Sequence, residues 1–525
     1  MLLTLLQRTG RGLFAAAERA LDRCFGPRWN PLYHLGALGF FFFWVVTVSG
    51  LYLYAVFDTS IFGAYQSVEW LTHEQWYLGG VMRSLHRYGS DALVVTVITH
   101  LSREFFYDRH RGFRWFSWIS GVPLLWLMFS SGINGYWLVW DRLAQYIAVD
   151  TAEWMDWLPI FGQSMAANFL NQAALSDRFF SLLVFLHIGI PLMLLLGMWI
   201  HIQRIGGARV NPPRGLMWGT AALLLGLSLA WPALSQGEAN LDRLITDIGL
   251  DWFYLAIYPL MDRWSYGGVW WLLLGLTALL FVLPWLPRRR PVPAAVVHLD
   301  NCNGCARCHV DCPYNAIDMA PRSDGSPYAE EAVVDPALCA GCGICVGACP
   351  TATPFRRATA LVAGVELPQL TTADLRARLG ELARGLRGQA RVLVFGCDHG
   401  PDLAAVAGDG VGGLRLPCIA MLPPSFIDYA ISRGLADGVL LTGCRAGNCH
   451  FRLGIEWTED RLAGRRDPHL RERVPRERLA TLWVGAEGTA ELERGLVSFR
   501  QRLAALPPYR PGSLPQTQEV LDDTA

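Results

Sequence analysis

Six apolar runs constrain this 525-residue chain more than any other feature; they lie near residues 35–56, 78–103, 115–139, 179–202, 214–234 and 267–287. About 20 apolar residues in helical form span the hydrocarbon core of a bilayer. Within lipid a backbone must satisfy its own polar groups, so runs of this kind are expected to be helices of one bundle. Arginine placement sets the orientation. The second-to-third connection holds Arg103, Arg109, Arg111 and Arg114; the fourth-to-fifth holds Arg204, Arg209 and Arg214; Arg288–Arg290 follow the sixth run. The first-to-second connection has no arginine. The N-terminus, these basic loops and everything after residue 290 are therefore expected on the cytoplasmic side of a bacterial inner membrane, in a multi-pass arrangement. Residues 1–30 read as an amphipathic surface helix, and no basic stretch precedes the opening MLLTLL as a cleaved signal would require.

The expected fold class is multi-domain: a six-helix transmembrane bundle over 31–290, an α+β cysteine-rich domain over 296–356 and an α/β parallel-sheet domain over 390–510. Net charge is zero, so the chain shows no footprint for nucleic acid. Of the 13 cysteines 12 lie beyond residue 300, at short regular spacings that suit metal ligation in a reducing compartment; Cys24 stands alone.

Histidines mark the second and fourth apolar runs. His86 and His100 are 14 apart, as are His187 and His201. Fourteen helical steps return to within roughly 40° of the same face, about 21 Å further along. Two such helices can present two His–His pairs at two depths, each able to hold an iron from both sides. One intramembrane histidine is usually a hydrogen-bonded core residue, but four at matched spacing point to function. Gly36 and Gly50, and Gly121 and Gly135, repeat the interval of 14 on the first and third runs. Glycine there admits a flat macrocycle close to the backbone, or serves small-residue helix packing.

With RSLHRYG, THLSREFF, GYWLVW and RFFSLLVFLH, these pairs make residues 30–287 resemble the cytochrome b of quinol-oxidising bc-type complexes. The resemblance implies two b-type haems, with His86 and His187 as ligands of the outer one and His100 and His201 of the inner. It makes Arg83 and Arg103, each three residues from a ligand, partners for haem propionates, with charge anchoring as the alternative. That family carries Pro-Glu-Trp-Tyr at its outer quinol site. Here LDWFYLAIY stands in that place, with Leu250 for Pro, Asp251 for Glu, Trp252 matching, Phe253 for Tyr and Tyr254 next. The resemblance implies that Asp251, with Tyr254, serves quinol oxidation as a proton acceptor facing the outer water path; the alternative is a helix-capping Asp251 beside an interface belt of aromatics.

Beyond a Pro-broken basic linker at 288–295 come two cysteine runs. Cys302, Cys305, Cys308 and Cys312-Pro form the first; Cys339, Cys342, Cys345 and Cys349-Pro form the second. This is the two-cluster ferredoxin spacing, in which each run's fourth cysteine ligates the other cluster. One [4Fe–4S] cluster is expected on Cys302, Cys305, Cys308 and Cys349, and the other on Cys339, Cys342, Cys345 and Cys312, with structural zinc as the alternative. Residues 357–389 read as a polar helical linker. RVLVFGC, GLRLPC, GVLLTGC and ATLWVGA then alternate with helical stretches, as in a mostly parallel sheet whose strand ends form a crevice. Cys397, Cys418 and Cys444 end strands, and Cys449 follows in GCRAGNCH. Residues 390–505 resemble the iron–sulfur delta subunit of methyl-viologen-reducing hydrogenases. That implies one [2Fe–2S] cluster on these four cysteines and a heterodisulfide-reductase-type flavoprotein as partner, although CDHGPD lacks a second cysteine that members often carry.

No nucleotide or flavin fingerprint is present. The expected function is a membrane oxidoreductase subunit linking the quinone pool, through two haems and iron–sulfur clusters, to a soluble cytoplasmic flavoprotein reactive with NAD(P)H, a disulfide or ferredoxin. Its expected setting is a hetero-oligomeric complex in membrane lipid, with an outer-side acceptor subunit and a dimeric form as further possibilities. The alternatives are an electron wire and anchor without its own quinol site, and a hydrogenase or formate-dehydrogenase cytochrome.

Overall fold

The computed structural model describes residues 2–160, 164–167, 176–243, 245, 247–286, 292–356 and 361–507. Arg288–Arg290 of the basic linker, the start of the 357–389 segment and the end of the 390–510 segment lie outside them. The chain divides into two compact units, Met1–Gln203 with Ala208–Arg289, and Arg204–Gly207 with Arg290–Ala525.

The first unit is helical. Its elements are α1 (Leu2–Phe25), α2 (Leu35–Val56), α3 (Gly63–His73), α4 (Val81–Phe106), α5 (Trp115–Val139), α6 (Arg142–Asp156), α7 (Asp177–Ile202), α8 (Arg214–Ala230), α9 (Tyr258–Arg263) and α10 (Tyr266–Val282). Each of the six apolar runs contains a helix. Among the described residues, four stretches are long and apolar enough to cross a membrane: Leu35–Val56, Gly112–Val139, Phe180–Ile202 and Tyr266–Trp285. The count differs from six for physical reasons. Helix α4 carries Arg83, Arg87, Asp91, Arg103 and Glu104 within its 26 residues, and α8 is 17 residues long. The bundle is built from two close pairings, α2 along α4 and α5 along α7. Its core includes Ile147, Leu255 and Tyr258, each essentially inaccessible. Helix α1 turns a polar side inward: Glu18 is buried, while Leu5, Leu6 and Leu13 are exposed.

The second unit begins with two short antiparallel ribbons. Strand β1 (Val296–Val297) pairs with β4 (Val365–Glu366), and β2 (Ile317–Pro321) pairs with β3 (Glu330–Val334). Two single-turn helices follow the cysteine loops, α11 (Arg307–Asp311) and α12 (Ile344–Ala348). The loops repeat one backbone device: Gly304 and Ala306 in the first, and Gly341 and Gly343 in the second, all have positive φ. These left-handed residues curl each loop, and glycine takes that conformation without a Cβ clash.

Helix α13 (Thr372–Gly385) opens with a capping box between Thr371 and Asp374. It leads into four parallel strands, β5 (Val392–Cys397), β6 (Val411–Leu416), β7 (Gly438–Thr442) and β8 (Leu479–Leu482), in the order β6-β5-β7-β8. The crossovers and closing element are α14 (Pro424–Ser432), α15 (Gly454–Leu462) and α16 (Thr489–Ala504). Strand β5 is buried throughout because neighbours flank it and helices cover it, as its Val-Leu-Val-Phe run demands.

The 357–389 segment is more than a linker. Leu361, Ala363, Leu367 and Leu370 are buried, and Val365–Glu366 closes the ribbon on β1. Ala295, Cys308, Cys345, Leu367, Leu379, Phe395 and Leu441 belong to one apolar core. The cysteine-rich part and the parallel sheet therefore share a single interior.

Candidate redox centres

Helices α4 and α7 bring His86 and His187 together, with ring centroids 6.2 Å apart. The Nδ1 of His86 donates to Val46 O at 3.0 Å, and that of His187 to Ser131 O at 3.1 Å. A proton held on Nδ1 leaves Nε2 as the metal-binding nitrogen. Two metal–nitrogen bonds of about 2 Å, plus the near half of each ring, span roughly 6 Å. The observed separation fits one iron between the rings. The second pair, His100 and His201, lies 14 residues further along the same helices, and His201 Nδ1 lies 3.1 Å from Ser120 Oγ.

The four glycines face the four histidines one to one. A Cβ on Gly50 would lie 2.9 Å from His86 Cε1, and one on Gly135 would lie 2.8 Å from His187 Cε1. The corresponding distances are 3.2 Å for Gly121 to His201 and 3.9 Å for Gly36 to His100. Gly50, Gly121 and Gly135 thus make room for an imidazole, while a Cβ on Gly36 would make only an ordinary contact with His100.

Arg83 and Arg103 are both buried and both engaged with carboxylates of the chain. Arg83 donates to Thr72 Oγ1, to Ser235 Oγ at 2.7 Å and to Glu69 Oε1 at 3.4 Å. Arg103 reaches Glu18 Oε1 with Nε at 2.9 Å and a terminal nitrogen at 2.8 Å.

Asp251 sits in a polar cluster of the first unit. Its side chain is 6% exposed. Tyr136 on α5 donates its hydroxyl to Oδ2, and Arg87 on α4 lies 2.8 Å from the same oxygen. Oδ1 accepts from the Phe253 amide at 2.8 Å, so Asp251 also caps the turn it begins. Arg87 faces a second carboxylate, Asp91, at 3.1 Å. Tyr254 is buried with its hydroxyl 2.7 Å from Ser90 Oγ, while Trp252 and Phe253 are exposed. Sequence reasoning missed Arg87, Asp91 and Tyr136. The signal for the first two was present, since charges four residues apart inside an apolar run are costly and rarely idle.

In the second unit one cavity is lined by Cys302, Cys305, Cys308 and Cys349, and another by Cys312, Cys339, Cys342 and Cys345. The structure thus gathers the same two sets of four that the spacing pairs, each taking its last cysteine from the other run. Burial pushes the Cys308 thiol up to about 12, and Cys349, Cys305 and Cys302 push in the same direction. Burial likewise raises Cys342 to about 12, and it raises Cys345 well above the usual thiol range. Four thiols so close cannot ionise together unless positive charge stands among them, which is the donor chemistry of a metal cluster. Backbone amides already point at sulfur: Ala316 N lies 3.3 Å from Cys312 Sγ, and Ala295 N 3.5 Å from Cys339 Sγ.

A third set gathers at the carboxyl edge of the parallel sheet. Cys397 ends β5, Cys418 follows β6, and Cys444 and Cys449 follow β7. Cys397 and Cys444 are 3.7 Å apart between sulfurs. Hydrogen bonds from Cys418 and Cys444 hold the Cys449 thiol well below its usual value. Gly454 is required beside them, because a Cβ there would lie 2.4 Å from Cys418 Sγ and 3.2 Å from Cys449 Sγ. The His399 and His450 rings stack 3.5 Å apart next to this edge. Among the described residues no three His, Cys, Asp or Glu side chains converge as ligands of a lone metal ion. The thiols of the first two sets instead line cavities, the arrangement that a cluster with several metals between its ligands needs.

Comparison with known families divides the chain in the same way. Residues 21–207 match the cytochrome b/b6/petB family, residues 301–353 the 4Fe-4S dicluster domain, and residues 402–507 the methyl-viologen-reducing hydrogenase delta subunit. The first match contains all four histidines and their glycines and ends before Asp251; the third begins after Cys397. A solved structure of a hyperthermophilic respiratory Complex III is similar at 19% identity, over 49% of this chain and 75% of that chain, with a TM-score of 0.41.

Proposed function

We propose that this chain, whose successive segments match cytochrome b, a 4Fe-4S dicluster domain and the delta subunit of methyl-viologen-reducing hydrogenase, relays electrons between quinone in the membrane and a soluble cytoplasmic flavoprotein. At the coarser level, the family matches support a membrane electron-transfer subunit with b-type haem and iron–sulfur clusters. Bound haem and clusters would supply one-electron transfer; everything else falls to the residues of the chain.

In this reading His86 with His187, and His100 with His201, hold two b haems, with Arg83 and Arg103 near their propionates. Gly50, Gly121 and Gly135 give the imidazoles room, and Gly36 lies beside His100. Cys302, Cys305, Cys308 and Cys349 hold one [4Fe–4S] cluster, and Cys339, Cys342, Cys345 and Cys312 the other. Cys397, Cys418, Cys444 and Cys449 hold a [2Fe–2S] cluster. Asp251 takes a quinol proton with Tyr254 shaping the pocket, and Arg87 and Tyr136 hold the carboxylate in place. The chain would sit in a bacterial inner membrane as part of a hetero-oligomeric complex, its iron–sulfur half in the cytoplasm. The observation carrying this reading is the 6.2 Å separation of two imidazoles whose Nδ1 atoms are committed to carbonyls.

A second reading is favoured by the burial of Asp251 against Arg87 and Tyr136. Here the carboxylate is a structural cap, and the first unit is an anchor and wire that oxidises no quinol itself. Asp251→Asn separates the two readings. Loss of quinol turnover with both haems retained supports the first, and unchanged turnover supports the second.

A further inference from the structure

The second unit contains a buried charge cluster that no redox role has yet absorbed. Arg461 on α15 is 1% exposed, among the largest fully buried side chains of the protein. Its guanidinium donates to Asp311 Oδ2 at 2.5 Å, to Ala420 O at 2.8 Å and to Ile344 O at 3.4 Å. Asp311 precedes Cys312, Ile344 precedes Cys345, and Ala420 lies two residues after Cys418. One side chain therefore ties together one carboxylate and two backbone carbonyls, each within two residues of a cysteine. Two belong to the Cys312/Cys339/Cys342/Cys345 set and one to the Cys397/Cys418/Cys444/Cys449 set.

The two sets are close at this point. A Cβ on Gly347 of α12 would lie 1.9 Å from Ala420 O and 2.6 Å from an Arg461 nitrogen. A Cβ on Gly343 would lie 2.7 Å from Met421 Cγ. The helix after one cysteine loop thus rests directly on the turn that carries Cys418. Arg466 also donates to Asp311, through Oδ1. Two arginines against one carboxylate leave a net positive charge here, with Arg461 and Asp311 fully buried and Arg466 partly exposed.

We infer that Arg461, with Arg466 and Asp311, is the positioning element of an electron relay between these two thiolate sets: it fixes their spacing, and its net cation favours the reduced state of the neighbouring cluster. The inference rests on reading both sets as iron–sulfur ligands. Each one-electron reduction adds negative charge beside a cation that cannot leave. The same field would be weak in water and is strong where solvent is excluded. Removing an arginine while keeping one partner also exposes the cost of an unpaired buried charge, which is why two variants are needed.

The test uses the full-length, detergent-solubilised protein and redox-titrated EPR. Arg461→Gln should leave both signals present and shift the reduction equilibrium of the Cys312/Cys339/Cys342/Cys345 cluster about tenfold toward the oxidised form, roughly 59 mV for one electron. Spin–spin broadening between the two reduced clusters should diminish, and Arg461→Lys should restore the potential. Should Arg461→Gln fail to assemble, Arg466→Gln, on a partly exposed side chain, should shift the potential in the same direction. Unchanged potentials and broadening in whichever variant assembles overturn the inference. Absence of iron–sulfur signals from the wild-type protein overturns the ligand reading instead, so the two failures are distinct.

Discussion

Replacing Gly135 by alanine would place a methyl carbon 2.8 Å from His187 Cε1. Carbon atoms rest about 3.5–4.0 Å apart, so the imidazole must retreat by roughly 0.7 Å or more. The ring has little freedom to do so, because its Nδ1 is held by Ser131 O at 3.1 Å. Overpacking of this kind costs about 1–3 kcal/mol, which corresponds to a roughly 5- to 150-fold weaker hold on the iron between His86 and His187. Gly36→Ala is the internal control, since its Cβ would sit 3.9 Å from His100 Cε1, an ordinary contact. The assay is haem per protein after detergent washing, with reduced-minus-oxidised spectra resolving the two haems. Gly135→Ala should lose or perturb one haem, and Gly36→Ala should keep both. Equal losses in the two variants, or full retention in Gly135→Ala, would refute the claim that these glycines exist to seat the imidazoles.

Other consequences follow from the same geometry. Asp251→Asn should abolish quinol oxidation while both haem bands persist, as measured by quinol turnover and optical spectra on one preparation. Cys349→Ser should remove the EPR signal of the cluster on Cys302, Cys305 and Cys308 and spare the other [4Fe–4S] signal; Cys312→Ser should do the reverse. Loss of the wrong signal would break the crossed assignment. Gly454→Ala, with its Cβ 2.4 Å from Cys418 Sγ, should abolish the [2Fe–2S] signal and leave both [4Fe–4S] signals intact.

The histidine and cysteine sets were legible because their chemistry is written in spacing. An interval of 14 returns to one helix face, and the short cysteine runs carry their ligand pattern in the sequence itself. The parallel strands were legible because doubly covered strands read as unbroken apolar runs such as Val-Leu-Val-Phe. What escaped depends on contacts between distant residues. Asp251 is held by Arg87 and Tyr136, neither of them near it in sequence. Its burial follows from how α4 and α5 pack, which no local pattern states. The segment after residue 357 reads as a polar linker from its charged stretch at 371–389, although LVAGVEL at 361–367 is apolar and its Leu361, Ala363 and Val365 fill the core beside β1. Helix α4 carries enough charge to fall outside the hydropathy expected of a span, and those same charges build its polar pocket. The shared interior of the cysteine-rich part and the sheet had no sequence signal, because docking surfaces are made from ordinary apolar residues.

One preparation tests the whole account most directly: the intact protein, purified in detergent and reduced with dithionite, examined by optical spectroscopy and low-temperature EPR with metal analysis. The account predicts low-spin b-haem bands together with signals from two [4Fe–4S] clusters and one [2Fe–2S] cluster. A protein without haem bands, or one whose thiolate sets hold zinc, would contradict it.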